Sequence, residues 1–487
     1  MCPPRSQPQE RTPILVGVGT SSAAAPVAEL MTQAALAAAA DAGDHGLLAA
    51  VDRVAVPQGS WDLVDPGRTV AARIGASSAR SVRYEIGVSQ QEVINDALAS
   101  IASGTCEVVL VVGAEDRSFA RGGGVELDDS SSPPDQVVTR PPDFIAPIEL
   151  AAGLVWPVAQ QYALIENALA AAEGLTPAAQ RDDIANLWAR FNTVAQSNPL
   201  AAFPAPRSAA DIATPGPKNR PLAFPYNVWH ASQWTVDQAA ALLFCSVEWA
   251  RARALPADGW VFPHVTLHSS AAITLTARRR LHRWPAMAVL GQAAEDHLGR
   301  PLRDLPLTEV YSCFPAAVRV QQRELGLDPA GTPTLTGGMS FAGGPFNNFV
   351  FNATAALVGH LRRQPEQLGL ITTVAGMLSK PGLAVWSCTP PPAGALRADL
   401  GPATMAATEL AQVAEPGTAT GAATVVSSTV TYGVDDPLEP VRTAVVLDLP
   451  DGSRTAATCE DPLIAAQCVS DGLIGRAVHV EGTTFTP

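Results

Sequence analysis

Apolar positions along the chain come in short β-branched runs alternating with stretches of helical periodicity. Residues 13–18, PILVGV, read as a strand, and the Ala-rich segment 26–41 reads as a helix. VDRVAVP (51–57) predicts a second strand, and SQQEVINDALASIASG (89–104) an amphipathic helix with Val93, Ile94, Leu98 and Ile101 on its apolar face. CEVVLVVGAED (106–116) predicts a strand buried on both faces. The alternation implies an α/β unit with a parallel sheet.

The regularity breaks over 117–225, where a Gly, Ser and Pro-rich part (121–147) precedes helical stretches at 159–173 and 177–196 and the loop PGPKNRPLAFPY. This reads as a large insertion, of a kind that is either functional, as a cover over a site, or disordered. The α/β pattern resumes with a strand running into a helix at 236–253, strands at 260–270 and 307–315, a helix at 316–326, and a strand pair at 369–377 and 382–388. Two similar βαβ halves result. Beyond a Pro and Gly-rich linker at 389–402 the pattern becomes short β-branched runs around the turn LDLPDGSRTAA, which predicts a small all-β barrel from about 400 to 487. The expected division is therefore 12–256 for the first half, 257–392 for the second and 400–487 for the barrel.

Composition supports a globular chain: among 487 residues 47% are hydrophobic and 16% charged. The net charge of −14 argues against nucleic acid as a partner, and the local basic group 278–280 reads as a solvated helix end. Seven cysteines, at 2, 106, 245, 313, 388, 459 and 468, show no CxxC spacing, so neither a metal site nor a disulfide framework is expected. A reducing, cytoplasmic location follows as an expectation, since MCPPRSQPQERTP lacks the order of a signal peptide and MTQAALAAAA is too short to span a membrane.

In order and spacing, GTCEVVLVVGAEDRS, VDQAAALLFCSVEWA, EVYSCFPAA, GGMSFAGGP and TTVAGM resemble the thiolase superfamily, in particular thiolase-like proteins of its sterol-carrier branch. The resemblance covers roughly residues 12–390. It implies an α-β-α-β-α layered fold of two similar halves, a loop domain in the first half, and coenzyme A thioesters as ligands. The region after 400 is similar to the extra C-terminal β-domain of some thiolase-like proteins.

Thiolases hold an acyl group on a cysteine, activate it with a histidine and exchange a proton through a second cysteine. By the resemblance, the nucleophile position falls on Gly87 in EIGVSQQEV, where Ser89 is the closest hydroxyl and reads equally well as a helix cap. The oxygen-positioning residue falls on Tyr311 in VYSCF, with Cys313 on the same side of an extended segment. The base falls on Gly344 and the second cysteine on Val374. His230, His264 and His268 lie in segments that border the family's site, and each also reads as a structural histidine. Gly337, Gly338, Gly343 and Gly344 permit close approach, Val374 to Gly376 offer backbone donors, and Asn347 and Asn348 add amides.

The resulting expectation is a protein of the acyl-CoA acyltransferase class in lipid metabolism. It binds an acyl-CoA through a pocket formed by Gly87, Ser89, His230, Gly343, Gly344, Asn347, Asn348, Val374 and Gly376, without ordinary thiolase chemistry. Two alternatives stand beside it: a non-covalent aldol or retro-aldol reaction using Tyr311, and a non-catalytic binder with a protein partner docked on the barrel. Either a homodimer or a monomer is compatible with the sequence.

Overall fold

The computed structural model describes residues 9–125, 132–140 and 145–487. Cys2, the start of the N-terminal stretch and parts of the Gly, Ser and Pro-rich segment of the insertion lie outside the described residues. The first sheet contains β1 (Pro13–Ser21), β2 (Arg53–Pro57), β3 (Arg80–Tyr84), β4 (Val108–Asp116) and β5 (Gln136–Val138). A short ribbon, β6 (Pro221–Ala223) with β7 (Tyr226–Asn227), precedes β8 (Asp237–Ser246), which returns to that sheet in the order β1-β8-β4-β2-β3-β5. The second sheet combines β9 (Phe262–His268), β10 (Leu307–Glu309), β11 (Gly369–Ala375), β12 (Lys380–Ser387) and β13 (Leu396–Asp399) in the order β10-β11-β12-β9-β13.

Both sheets are mixed, which corrects the expectation of a parallel one. β8 runs antiparallel to both β1 and β4, and β12 runs antiparallel to both β11 and β9. The alternation of strands and helices holds for β2, β3 and β4, which are parallel, but the return strand of each half reverses direction.

The helix Gln90–Ala102 contacts strands of both sheets, and so does the helix Phe349–Arg363, so the two form the central layer. Val93, Ile94, Ala97, Leu98 and Ile101 of the first are buried, the four larger side chains worth about 1.5–3 kcal/mol each. The helix Val27–Ala42 covers the outer face of the first sheet, and Pro285–Leu298 that of the second. The five layers are those expected from the sequence.

Three strands leave little trace in the sequence pattern. β3 is a five-residue run with two arginines. β5 comes from the insertion and caps the edge of β3. β13 lies in the segment expected to be a linker, and pairs in parallel with β9. The strand expected at 307–315 stops at Glu309, so Tyr311 and Cys313 sit in the irregular stretch before the helix Pro315–Glu324.

The C-terminal barrel is closed by β14 (Thr420–Tyr432), β15 (Pro440–Asp448), β16 (Arg454–Cys459), β17 (Ala477–Glu481) and β18 (Thr484–Thr486). It also carries the helix Pro462–Asp471, so it is not purely β. The barrel grips the insertion: Phe224 is buried in the barrel core, its N–H donates to the Val430 carbonyl at 2.9 Å, and Asn167 Nδ2 donates to the Ser428 carbonyl at 2.7 Å.

Candidate functional site

The loop 337–345 is suspended from a buried carboxylate. Glu309 accepts from Thr334 Oγ1 at 2.9 Å, Leu335 N at 2.6 Å, Thr336 N at 2.9 Å and Thr336 Oγ1 at 3.0 Å. Burial nonetheless pushes its pKa up to about 7, outweighing the four donors. Further along, Met339 N donates to Ser312 Oγ at 3.1 Å, and Ser340 Oγ donates to the Ala231 carbonyl at 2.9 Å.

The segment 231–233 laces this loop to Cys313. Ser232 N donates to the Cys313 carbonyl at 2.9 Å, Gln233 N to Met339 O at 3.0 Å, and Gly344 N to Gln233 O at 2.9 Å. Gly343 adopts φ +105°, a left-handed conformation that suits glycine. Gly344 is required for a different reason, close approach: a Cβ there would lie 1.8 Å from Ser232 Oγ and 3.2 Å from Ser232 Cβ. The space a side chain at 344 would enter is already filled.

Gly87 also has positive φ and lies just before the helix Gln90–Ala102. Its carbonyl accepts a hydrogen bond from the buried ammonium of Lys380, the first residue of β12. Ser89 is the helix N-cap, its Oγ accepting from Glu92 N at 3.2 Å.

Tyr311 and Cys313 are both buried and act on each other electrostatically. Tyr311 N donates to Thr372 Oγ1 at 2.9 Å, its ring meets Phe349 edge-on at 5.8 Å, and its hydroxyl makes no hydrogen bond among the described residues. The third member of the cluster is Tyr162, from the insertion helix Ala159–Ala172. Its hydroxyl donates to the Gly376 carbonyl at 3.0 Å and lies within hydrogen-bonding reach of the Cys313 thiol. Burial raises both phenols well above their usual range and pushes the thiol up to about 12. At neutral pH all three are protonated, so they are hydrogen-bond donors and neither bases nor nucleophiles.

Other expected residues are dispersed. Val374 is buried at the end of β11. Asn347 Nδ2 donates to Gln58 O at 3.1 Å. Asn348 is buried, with both amide atoms unpartnered among the described residues, and packs so closely on Gly113 that a Cβ there would meet its Oδ1 at 2.6 Å. His230 is buried, accepts from Asn227 N at 3.0 Å through Nδ1, and is held neutral by burial, with its pKa lowered to about 3. His264 Nε2 bonds the Thr389 carbonyl at 2.8 Å, and His268 Nδ1 bonds Asn95 Nδ2 at 2.8 Å. Among the described residues none of the three histidines bonds to the side chains of Tyr311 and Cys313. Among the same residues no group of three or more His, Cys, Asp or Glu is arranged to hold a metal ion, and no helix is long and apolar enough to cross a membrane.

Sequence reasoning missed Tyr162, Ser232 and Lys380. The available signals were slight: a tyrosine inside an insertion helix, a serine two residues past His230, and one lysine at the head of an apolar strand.

Two mixed sheets separated by a pair of helices, with the candidate site at loops from both halves and an insertion laid across it, define a thiolase-type fold. No protein-family model matches the chain, and no curated protein matches it. Among solved structures it is similar to a monomeric SCP2-thiolase like protein type 1 from Mycobacterium smegmatis, with 30% identity over 98% of this chain and 99% of the other and a TM-score of 0.83. It also resembles an Ltp2-ChsH2(DUF35) aldolase (20% identity, 77% of this chain, 98% of that one, TM-score 0.60). Similarity extends to an acetyl-CoA acetyltransferase from Syntrophomonas wolfei (17% identity, 78% of this chain, 100% of that one, TM-score 0.55). The chain belongs to the SCP2-thiolase-like proteins of the thiolase superfamily.

Proposed function

We propose that the chain binds an acyl thioester of coenzyme A between its two halves without forming a covalent acyl-enzyme, and so lacks ordinary thiolase activity. The observation that carries this reading is the contact between Gly344 and Ser232: where the family resemblance puts a base there is no side chain, and one added there would have to displace the Ser232 hydroxyl. At the nucleophile position Gly87 offers only a backbone carbonyl, already engaged by Lys380. Cys313, the thiol of the cluster, is held protonated by burial. What remains are neutral donors, the Tyr311 hydroxyl and the backbone around 374–376, which suit a thioester carbonyl, while the Tyr162 proton is already given to the Gly376 carbonyl. Losing a nucleophile or its base typically costs on the order of 10⁶-fold in rate.

A second reading is favoured by one observation. The Tyr311 hydroxyl is protonated and unbonded among the described residues, as a general acid for a non-covalent aldol or retro-aldol step on a CoA ester requires, and one structural neighbour is an aldolase. The residue division 12–256, 257–392 and 400–487, a cytoplasmic location suited to the six unpaired described cysteines, and a protein partner on the barrel belong to the same proposal.

Purified protein is to be assayed for thiolysis and condensation with acetoacetyl-CoA and longer 3-ketoacyl-CoAs, and titrated by calorimetry with a panel of CoA thioesters. Binding without thiolysis is expected. Thiolysis that disappears when one cysteine is replaced would overturn the reading, and C–C cleavage of a 3-hydroxyacyl-CoA that depends on Tyr311 would select the aldol route.

A further inference from the structure

The arginine group 278–280 is not a solvated helix end. It lies in the loop between β9 and the helix Pro285–Leu298, and Arg278 is 2% exposed. Its guanidinium is spent on the turn that joins β11 to β12: Nη2 donates to the Met377 carbonyl, to the Ile273 carbonyl at 3.3 Å and to Ser379 Oγ at 3.5 Å. Ser379 Oγ donates in turn to the Ile273 carbonyl at 3.0 Å. The barrel and the chain leading to it place Arg278 there. The Arg278 backbone bridges Leu410, and its carbonyl accepts from Nη1 of Arg454, the first residue of β16. Arg454 is buried and is itself fixed by Asp448 of β15, at 2.8 Å.

A second relay reaches the same turn from the same domain. Tyr162 donates to the Gly376 carbonyl at 3.0 Å, so two consecutive carbonyls, 376 and 377, each accept from a side chain outside the turn. The helix Ala159–Ala172 that carries Tyr162 is buried from residue 159 to 170. β14 clamps it: Ser427 Oγ donates to the Leu164 carbonyl at 2.6 Å, and Asn167 Nδ2 to the Ser428 carbonyl at 2.7 Å. β15 adds Arg442, which donates to Gln160 Oε1 at 3.2 Å and to the Ala152 carbonyl at 2.6 Å. The turn requires such support. Gly376 has φ +66°, and Leu378, at φ +53°, is one of two non-glycine residues with positive φ among the described residues. A leucine in the left-handed region is strained, and it persists where its surroundings over-determine it.

We propose that the C-terminal barrel is a positioning element of the acyl site. Arg454 through Arg278, and β14 through Tyr162, fix the turn 376–378 and so aim the backbone N–H groups of 374–376 at the thioester carbonyl. This rests on the acyl-site reading given above. Tyr162, Arg278 and Arg454 are positioning residues and take no part in proton transfer. The barrel thereby belongs to the site, although none of its own side chains reaches the acyl group.

The test compares Ser427→Ala, Tyr162→Phe and Arg454→Gln with wild type in the full chain, by hydrogen–deuterium exchange with mass spectrometry and by calorimetry with acetoacetyl-CoA. Amide exchange over 374–380 is expected to rise about 10-fold in each variant, while β8 keeps its wild-type protection. Unchanged exchange over 374–380 overturns the proposal. So does an equal rise in both segments, which is what a loss of global stability alone would give. Arg454→Lys, which keeps a cation beside Asp448 and a donor for the Arg278 carbonyl, is expected to restore most of the protection. Should Arg454→Gln fail to fold, Ser427→Ala and Tyr162→Phe decide the matter on the same readout. Affinity for acetoacetyl-CoA is expected to fall about 10-fold with the rise in exchange, and raised exchange with unchanged affinity overturns the role in the site. Wild-type protein that binds no CoA thioester would sink the acyl reading itself, and the exchange result would still decide whether the barrel holds the turn.

Discussion

Ser232 Oγ stands 1.8 Å from where a Cβ on Gly344 would be, so residues 112 positions apart have a mutually exclusive claim on one small volume. Reintroducing a histidine at 344 is therefore expected to destabilise the chain without restoring thiolysis. Gly344→Ala alone should cost about 1–3 kcal/mol through overpacking. Ser232→Gly in the same chain should recover part of that loss, giving a coupling well outside additivity. Urea unfolding of the two single variants and the double variant measures it, and strict additivity would contradict the contact.

Cys313 is expected to be chemically silent. With its pKa pushed up to about 12, only a fraction of ~3 × 10⁻⁵ is thiolate at pH 7.5. Iodoacetamide should leave Cys313 unmodified in the native chain and label it after unfolding, as read by peptide mass mapping. Cys388 and Cys459, half-buried, provide the internal comparison. Rapid native labelling of Cys313 would show a thiolate and reopen the covalent route.

Stability should depend on pH through the buried carboxylates. Burial pushes Glu115 and Glu309 up to about 7 from an ordinary 4.5. Between about pH 4.5 and 7 the folded chain keeps protons that the unfolded chain has released. Their contribution is thus greatest below 4.5 and falls as pH rises through the window. His230, lowered to about 3, has the opposite sign between 3 and 6.5, so the total is a compromise. Glu115→Gln isolates one component, since the amide can still pair with Ser60. Relative to wild type, the variant should gain up to about 3 kcal/mol of unfolding free energy between pH 4.5 and 7.5. A parallel pair of stability profiles would refute the assignment.

The first central helix was legible through its amphipathic pattern and β8 through its long apolar run 237–246, whereas the second central helix, Phe349–Arg363, was not anticipated. The glycine loop was legible as a motif, and Ser89 as a cap. What closes the site was not, because Ser232 against Gly344 and Tyr162 against Gly376 are contacts between distant segments that leave no periodic trace. Arg278 misled because a run of three arginines usually faces water. Here the barrel, through Arg454, pins the loop so that the first of them turns inward. Tyr311 was expected on a strand, but Glu309 ends it by turning its carboxylate to the donors of 334–336.

β5 covers the strand β3. The thiolase resemblance implies subunit pairing through the sheet strand that precedes the nucleophile position, and here that strand, β3, is already paired in parallel with β5 from the same chain. The cover comes from the insertion and not from the barrel. Asp135 pins it, accepting from Ser81 N at 2.8 Å and pairing with Arg68 at 3.1 Å. β5 replaces β3 at the sheet edge, and at three residues it offers a second copy a much shorter ladder. The chain is therefore expected to run as a 50.6 kDa monomer by light scattering. Asp135→Ala combined with Val137→Pro should detach β5, expose β3, and shift the protein to dimers or larger assemblies. A wild-type dimer, or a double variant that stays monomeric with its stability unchanged, would contradict this role for β5.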